Sequence, residues 1–342
     1  MQIGIVSSGV YVPRLRIKRE EYQKTWGYFS PRGIEEKSVA DFDEDSITMG
    51  VEAASNALRN GQVNAPEIDA VYFASTSPPY VEKQSASTIA TALGCRNDTA
   101  ALDVTSSTRA STSALLSCMD FVGSGRGKMG LMVAADCPLG HPTDSLEHQL
   151  GAGAAAVIVS NNRLGAVIDG SFSLLTESLG ERFRRNGESF VRTVDLGRHQ
   201  ELLSDEAVIS CVKALMAKLG RSHKDYDWFV LQGLDDARAL DLSRKLGFED
   251  SKTTQTMISG KIGDTAAAAP VLALSKVLES VSPKKSLIFC AYGPGAGADA
   301  LSLVLEREMK PVSGRGFSEQ VTDKEYADFA TYLKLRRLIA RD

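Results

Sequence analysis

Residues Ala101–Ala114 read ALDVTSSTRASTSA, and the reading of the whole chain turns on how this run divides. Leu102 and Val104 close an apolar stretch that reads as a strand. The next residues are small and hydroxylated, and a run of Ala, Ser and Leu then sustains a helix to about Val122. A strand that feeds directly into a helix turns backbone N–H groups and the positive end of the helix toward the junction, where anions and nucleophiles are stabilised. This junction offers only hydroxyls, at Thr105, Ser106, Ser107 and Thr108. The bland reading of the same residues is small side chains packing a crowded turn.

Working outward, the flanks alternate between strands and helices. Ile3–Val12, Ala70–Ala74, Gly130–Ala135 and Gly153–Ser160 read as strands, with helices at Asp45–Arg59 and Ser85–Leu93. Asp43 or Asp45 is placed to cap the first of these helices. Residues Lys18–Lys37 read as a surface helix and loop. The second part repeats the style. Strands are expected at Ala166–Ile168, Trp228–Leu231, Ser286–Ala291 and Ala300–Glu306, and helices at Asp205–Leu219, Ala237–Leu246 and Ala266–Val281. Arg182–Leu196 reads as a polar excursion. The alternation predicts mostly parallel sheets covered by helices. A strand or turn followed by a small-residue helix occurs at 101–120 and again, more loosely, at 257–281, which suggests an internal duplication.

At 342 residues, with 43% apolar and 24% charged residues, the chain suits one large or two smaller globular units. A net charge of −4 gives no general attraction to nucleic acid or to an acidic membrane. The start, MQIGIVSSGVYVP, lacks the basic flank and apolar core of a signal peptide. No run approaches the ~20 apolar residues of a membrane span. Cys95, Cys118, Cys137, Cys211 and Cys290 are scattered without metal or redox spacing, as free thiols in a cytoplasmic protein would be. His141 and His148 lie in a loop without a third ligand, so no metal is expected. Gly293–Gly297 precedes a strand-like run, Leu301–Val304, and reads as a tight turn between strands rather than a nucleotide loop. Gly123–Lys128 fails as a phosphate loop because Met129 stands where Ser or Thr is needed.

Asp103–Ala114 resembles the nucleophile stretch of the thiolase superfamily, and most closely that of archaeal-type 3-hydroxy-3-methylglutaryl-CoA synthases. In that family an Asp is followed five residues later by the acylated cysteine, inside Ala-Cys-Lys-Ala-Gly-Thr-Ala. The seven positions here are Ser107, Thr108, Arg109, Ala110, Ser111, Thr112 and Ser113. Further segments resemble the family in order. Ser75-Thr76-Ser77-Pro78-Pro79-Tyr80 is similar to its Ser-Glu-Ser-x-Pro-Tyr loop, and Ala135-Asp136 through Leu146-Glu147 to its Ala-Asp…Gly-x-Pro-Gly-Asp-x-Leu-Glu segment. Gln232-Gly233-Leu234-Asp235 falls on its His-Gln-Pro-Asn, Ile262-Gly263-Asp264-Thr265 on its Ile-Gly-Asn-Thr, and Gly293–Ala300 on its Gly-Ser-Gly-Ala-Gly-Ser-Asp-Ala. The tail, with Tyr326 and Tyr332–Arg336, looks like the family's ending.

The resemblance implies an α/β thiolase fold. It would be built from duplicated βαβαβαββ halves, 1–165 and 166–342 with the tail, layered α-β-α-β-α. It also implies a site whose four working positions are all substituted. The family's Cys falls on Thr108, its His on Gln232, its Asn on Asp264 and its Glu on Thr76. A threonine hydroxyl is a poor nucleophile without a base. An ionised Asp264 would oppose an oxyanion. Cys118, deep in the helix, and Cys137, in a loop, do not replace the missing thiol.

A non-catalytic, synthase-like subunit is therefore expected, with no tightly bound cofactor and with a coenzyme A thioester as the candidate substrate. It would be a homodimer scaffolding an acyltransferase complex with a thiolase and a small OB-fold protein. The alternatives are an active condensing or acyl-transfer enzyme using a hydroxyl of residues 105–108, and a plain acyl-CoA-binding protein.

Overall fold

The computed structural model describes residues 2–178, 180–194, 198–312 and 315–339. Asp195–Leu196, the end of the polar excursion, lies outside them. In chain order the first elements are β1 (Ile3–Tyr11), β2 (Leu15–Lys18), α1 (Arg19–Trp26), β3 (Glu36–Ser38), α2 (Ser46–Gly61) and β4 (Ala70–Ala74). They are followed by α3 (Ser85–Leu93), β5 (Ala100–Val104), α4 (Ala110–Gly123), β6 (Met129–Asp136) and β7 (Gly153–Ser160). Next come β8 (Ala166–Leu174), α5 (Arg198–Lys218), β9 (Trp228–Gln232), α6 (Asp236–Lys245), α7 (Ser251–Thr254), α8 (Ser259–Ile262) and α9 (Ala269–Ser280). The chain closes with β10 (Ser286–Gly293), β11 (Gly297–Leu305), α10 (Phe317–Thr322), β12 (Glu325–Tyr326) and α11 (Phe329–Leu335). Asp45 caps α2 as its position predicts, accepting from the N–H groups of Ile47 and Thr48.

Nine strands form one sheet in the order β5-β4-β6-β7-β1-β8-β11-β10-β9. Outward from the centre, one side runs first, last, penultimate, second and third strand of its part of the chain. The other side runs first, last, penultimate and second. The repeat is thus written in the hydrogen-bond order. Where a counterpart of β5 would come, the chain forms the short helices α7 and α8 instead. The expectation of mostly parallel pairing is not met. β4–β5, β4–β6 and β9–β10 are parallel, but β1–β7, β6–β7, β1–β8, β8–β11 and β10–β11 are antiparallel. Strands covered on both faces read as continuous apolar runs whichever way their neighbours point, so composition does not reveal direction.

Side chains alternate between two cores along each strand. On β6, Leu131 and Val133 join α2 and α3 in one core, while Met132 and Ala134 face α4 in another. On β10, Leu287 and Phe289 share that second core, while Ile288 and Cys290 pack under α5 and α6 in a third. Helices α4 and α9 lie in the shared core, between the two halves of the sheet. The layers are therefore α2/α3, sheet, α4/α9, sheet and α5/α6.

A small sheet, β12-β2-β3, joins strands from early and late in the chain, and α1 and α11 pack on it around Ile17, Tyr22, Phe329 and Tyr332. Within this layer Lys37 Nζ lies 2.6 Å from Glu147 Oε1, with both side chains only 1% exposed.

The tail also docks through α10. Glu279 of α9 accepts the Phe317 N–H at 2.9 Å, and its second oxygen is buried without a partner among the described residues. Burial pushes this carboxyl up to about 7 from an ordinary 4.5. The folded chain thus keeps a proton that the unfolded chain releases near 4.5, so this stability is present below that pH and is lost as pH rises toward about 7. Glu279→Gln keeps the acceptor and removes the charge. The variant is expected to match the wild type in urea denaturation near pH 4.5 and to exceed it by on the order of 2 kcal/mol near pH 8. Parallel stability profiles would contradict this.

Candidate active site

β5 ends at Val104, and the chain makes a turn of five residues before α4 begins at Ala110. Ser106 holds φ 73°, a left-handed conformation that is costly for a residue with a side chain, so the surrounding contacts must enforce it. Asp103, three residues earlier, ties the end of β5 to α3. Its carboxylate accepts the N–H groups of Ser85 and Ala86 at 2.7 Å each and caps α3, which has no side-chain cap of its own.

Thr108 is 7% exposed, and its hydroxyl oxygen is buried with no hydrogen-bond partner among the described residues. Arg109 follows it and reaches the other half of the molecule, donating to the carbonyls of Ala296 (3.0 Å) and Leu174 (3.3 Å) beside Asp299. The Gly-rich turn expected at 293–297 joins β10 to β11 and makes this approach feasible. A Cβ on Gly293 would lie 2.6 Å from Ser107 Oγ and 2.8 Å from Arg109 Cγ. One on Gly297 would lie 2.0 Å from the Leu174 carbonyl oxygen.

Thr76 is held by Asp136, at the end of β6. The Asp136 carboxylate is fully buried and accepts six bonds: from the Ser75 and Ser77 hydroxyls, the Thr76 hydroxyl, and the N–H groups of Thr76, Ser77 and Ala267. Burial raises the Asp136 carboxyl while its hydrogen-bond donors pull it down. Asp264 accepts Arg182 Nη1 at 2.7 Å and the Ala266 N–H at 2.8 Å. Its negative charge is therefore met by a guanidinium and is not left facing the site. Gln232 is 4% exposed at the end of β9, beside Ala291 of β10.

Thr76, the 105–108 turn, Arg182, Phe183, Arg184 and Pro294 line a cavity of about 280 Å³. Two of the four expected positions, Thr76 and Thr108, meet there. Asp264 is linked to it through Arg182, and Gln232 does not line it. The cavity adjoins a cleft of about 410 Å³ that shares Thr76 and Arg184 with it and reaches the 41–45 loop, Cys137 and Arg336. No lining residue is a base. His141, His148 and His223 lie elsewhere; His148 is buried among Tyr22, Tyr28 and Phe29. Burial pushes the Cys118 and Cys137 thiols up, away from nucleophilic thiolate character. Among the described residues no group of His, Cys, Asp and Glu could hold a metal ion.

Sequence reasoning did not find Arg182 and Arg184. Both sit in the polar excursion, where a charged residue reads as solvated surface, and only the pairing of Arg182 with distant Asp264 marks the difference.

No protein-family model matches the chain. The hydroxymethylglutaryl-CoA synthase of Thermococcus sibiricus is 36% identical over 347 residues, spanning 98% of this chain and 96% of that protein. That of Pyrococcus horikoshii is 35% identical with the same coverage. The chain belongs to the hydroxymethylglutaryl-CoA synthase family. Among solved structures, MvaS in complex with 3-hydroxy-3-methylglutaryl coenzyme A aligns with a TM-score of 0.87 at 17% identity, over 100% of this chain and 93% of that one. This alignment and the internally repeated layers establish the thiolase fold for this member of the synthase family. No described helix is long and apolar enough to cross a membrane.

Proposed function

We propose that this synthase-family chain takes no acyl group itself and serves as the structural subunit of an acyl-CoA-dependent acyltransferase assembly. The observation that carries this reading is the Thr108 hydroxyl, buried where the resemblance puts the family's cysteine, with no partner among the described residues to take its proton. Thr76 and Gln232 carry no acid or base, and the Asp264 carboxylate is engaged by Arg182 and lies outside the cavity lining. The assembly would pair a homodimer of this chain with a thiolase and a small OB-fold protein. β5 supports the homodimer: it is one of the two edge strands of the sheet, its far edge is unpaired among the described residues, and Leu102 on it is 45% exposed. The names of the relatives favour a second reading, an active condensing enzyme using a hydroxyl of the 105–108 turn.

Mass spectrometry after incubation with acetyl-CoA separates the two readings. The wild-type peptide containing residues 101–114 is expected to stay unmodified. Thr108→Cys, placed at a helix start that lowers thiol pKa, is expected to carry an acetyl group and so show that the assay detects one. Light scattering on the same sample is expected to give the mass of a dimer. A stable adduct on wild-type Thr108, or a monomer at micromolar concentration, would overturn the corresponding part of the reading.

A further inference from the structure

We propose that the cavity over Thr108 binds the carboxylate group of a small acid without covalent attachment. The inference rests on the reading that the site no longer takes an acyl group, and extends it by naming the ligand class.

The argument starts from donors left over after the protein has satisfied itself. Arg182 spends Nη1 on Asp264, while Nη2 is buried without a partner among the described residues. The Thr108 hydroxyl, on a residue 93% buried, is also without one (relative exposure 7%). The start of α4, a helix of 14 residues, has no side-chain cap, so the positive end of its dipole faces the same turn. Charge points the same way. The lining contains two guanidinium groups and no carboxylate. Asp264 offsets Arg182, whereas Arg184 donates to the neutral carbonyl of Thr76, so among the described residues one positive charge is left over.

A guanidinium N–H and a hydroxyl beside a helix start suit the two oxygens of a single carboxylate. At about 280 Å³ the cavity lies near the small end of the ~300–1,000 Å³ typical of ligand sites, which favours a short acid.

The test is calorimetric titration of the full chain with malonate, malonamide and inorganic phosphate. Malonate is expected to bind with a Kd of about 1 mM or tighter, and malonamide, its neutral analogue, not to bind. Arg182→Gln is expected to weaken malonate roughly ten- to a hundredfold, and Thr108→Val roughly three- to tenfold. Asp264→Asn frees Arg182 from its counter-charge and is expected to tighten binding. This last variant keeps the test decisive if Arg182→Gln fails to fold, as judged by circular dichroism. Equal binding of malonate and malonamide, no malonate binding, or tighter binding of phosphate would overturn the carboxylate site. So would unchanged affinity in a folded Arg182→Gln protein. An acyl adduct on wild-type Thr108 would count against the non-catalytic reading and would leave the titration to decide this inference on its own.

Discussion

Lys37→Ala is expected to lower the stability of the protein by about 3–5 kcal/mol. Lys37 is buried, and its ammonium lies 2.6 Å from Glu147 Oε1 and 2.5 Å from the Glu147 carbonyl oxygen. Tyr22 (3.2 Å) and Tyr332 donate their hydroxyls to the same carboxylate oxygen, while Oε2 has no partner. Burial pulls the Lys37 ammonium down in pKa, and Glu147 holds it up. Removing the lysine leaves a buried carboxylate with two phenols and no counter-charge. The loss appears as a shift in urea midpoint without a change in slope. The double variant Lys37→Met, Glu147→Leu is expected to recover only part of it: apolar residues of similar size replace a buried ion pair at little cost, but the Tyr22 and Tyr332 hydroxyls lose their acceptor. A single variant within about 1 kcal/mol of wild type would show that this pair is not sealed from water. Because Tyr332 belongs to α11, the same variant is also expected to loosen the C-terminal helix.

Asp136→Asn is expected to cost about 2–4 kcal/mol although it changes one atom. Oδ1 accepts four of the six bonds, and an amide oxygen replaces it adequately. Oδ2 accepts the Thr76 hydroxyl and the Ala267 N–H. An amide nitrogen there sets a donor against a donor. The hydroxyl of Thr76 rotates to accept; the Ala267 N–H has no such freedom and is left buried and unpaired. The charge-assisted share of the other bonds is lost as well. Thermal unfolding measures the effect, and an Asn variant as stable as the wild type would mean that Asp136 carries a proton in the fold. Asp136→Ala orphans all six donors and should be worse.

The positions that were legible from sequence are those whose physics is local. The apolar run of Ala70–Ala74, the cap at Asp45 and the strand-to-helix junction at 101–110 depend on neighbours within a few residues. The resemblance to the family's motifs placed Thr108 and Thr76 at one site, and both residues line one cavity. What escaped depends on contacts remote in sequence. Lys37 and Glu147 are 110 residues apart, and each alone reads as an exposed charge. Arg182 looks solvated until Asp264, 82 residues on, is seen beside it. Strand direction is equally remote: β6 and β7 read as two similar apolar strands, and only the route of the 137–152 loop makes them antiparallel.

The helical layer between the two halves of the sheet governs how the molecule comes apart. Nine of the twelve residues of α9 are buried, and α4 shares its core with strands from both ends of the chain. A helix buried over most of its surface has little face to offer water. If either half separated, α4 or α9 would be stripped of one wall, so neither half opens alone at low cost. The amides of these two helices should therefore trade hydrogen for deuterium last, and together, at the rate set by opening of the entire chain rather than by fraying of any one part.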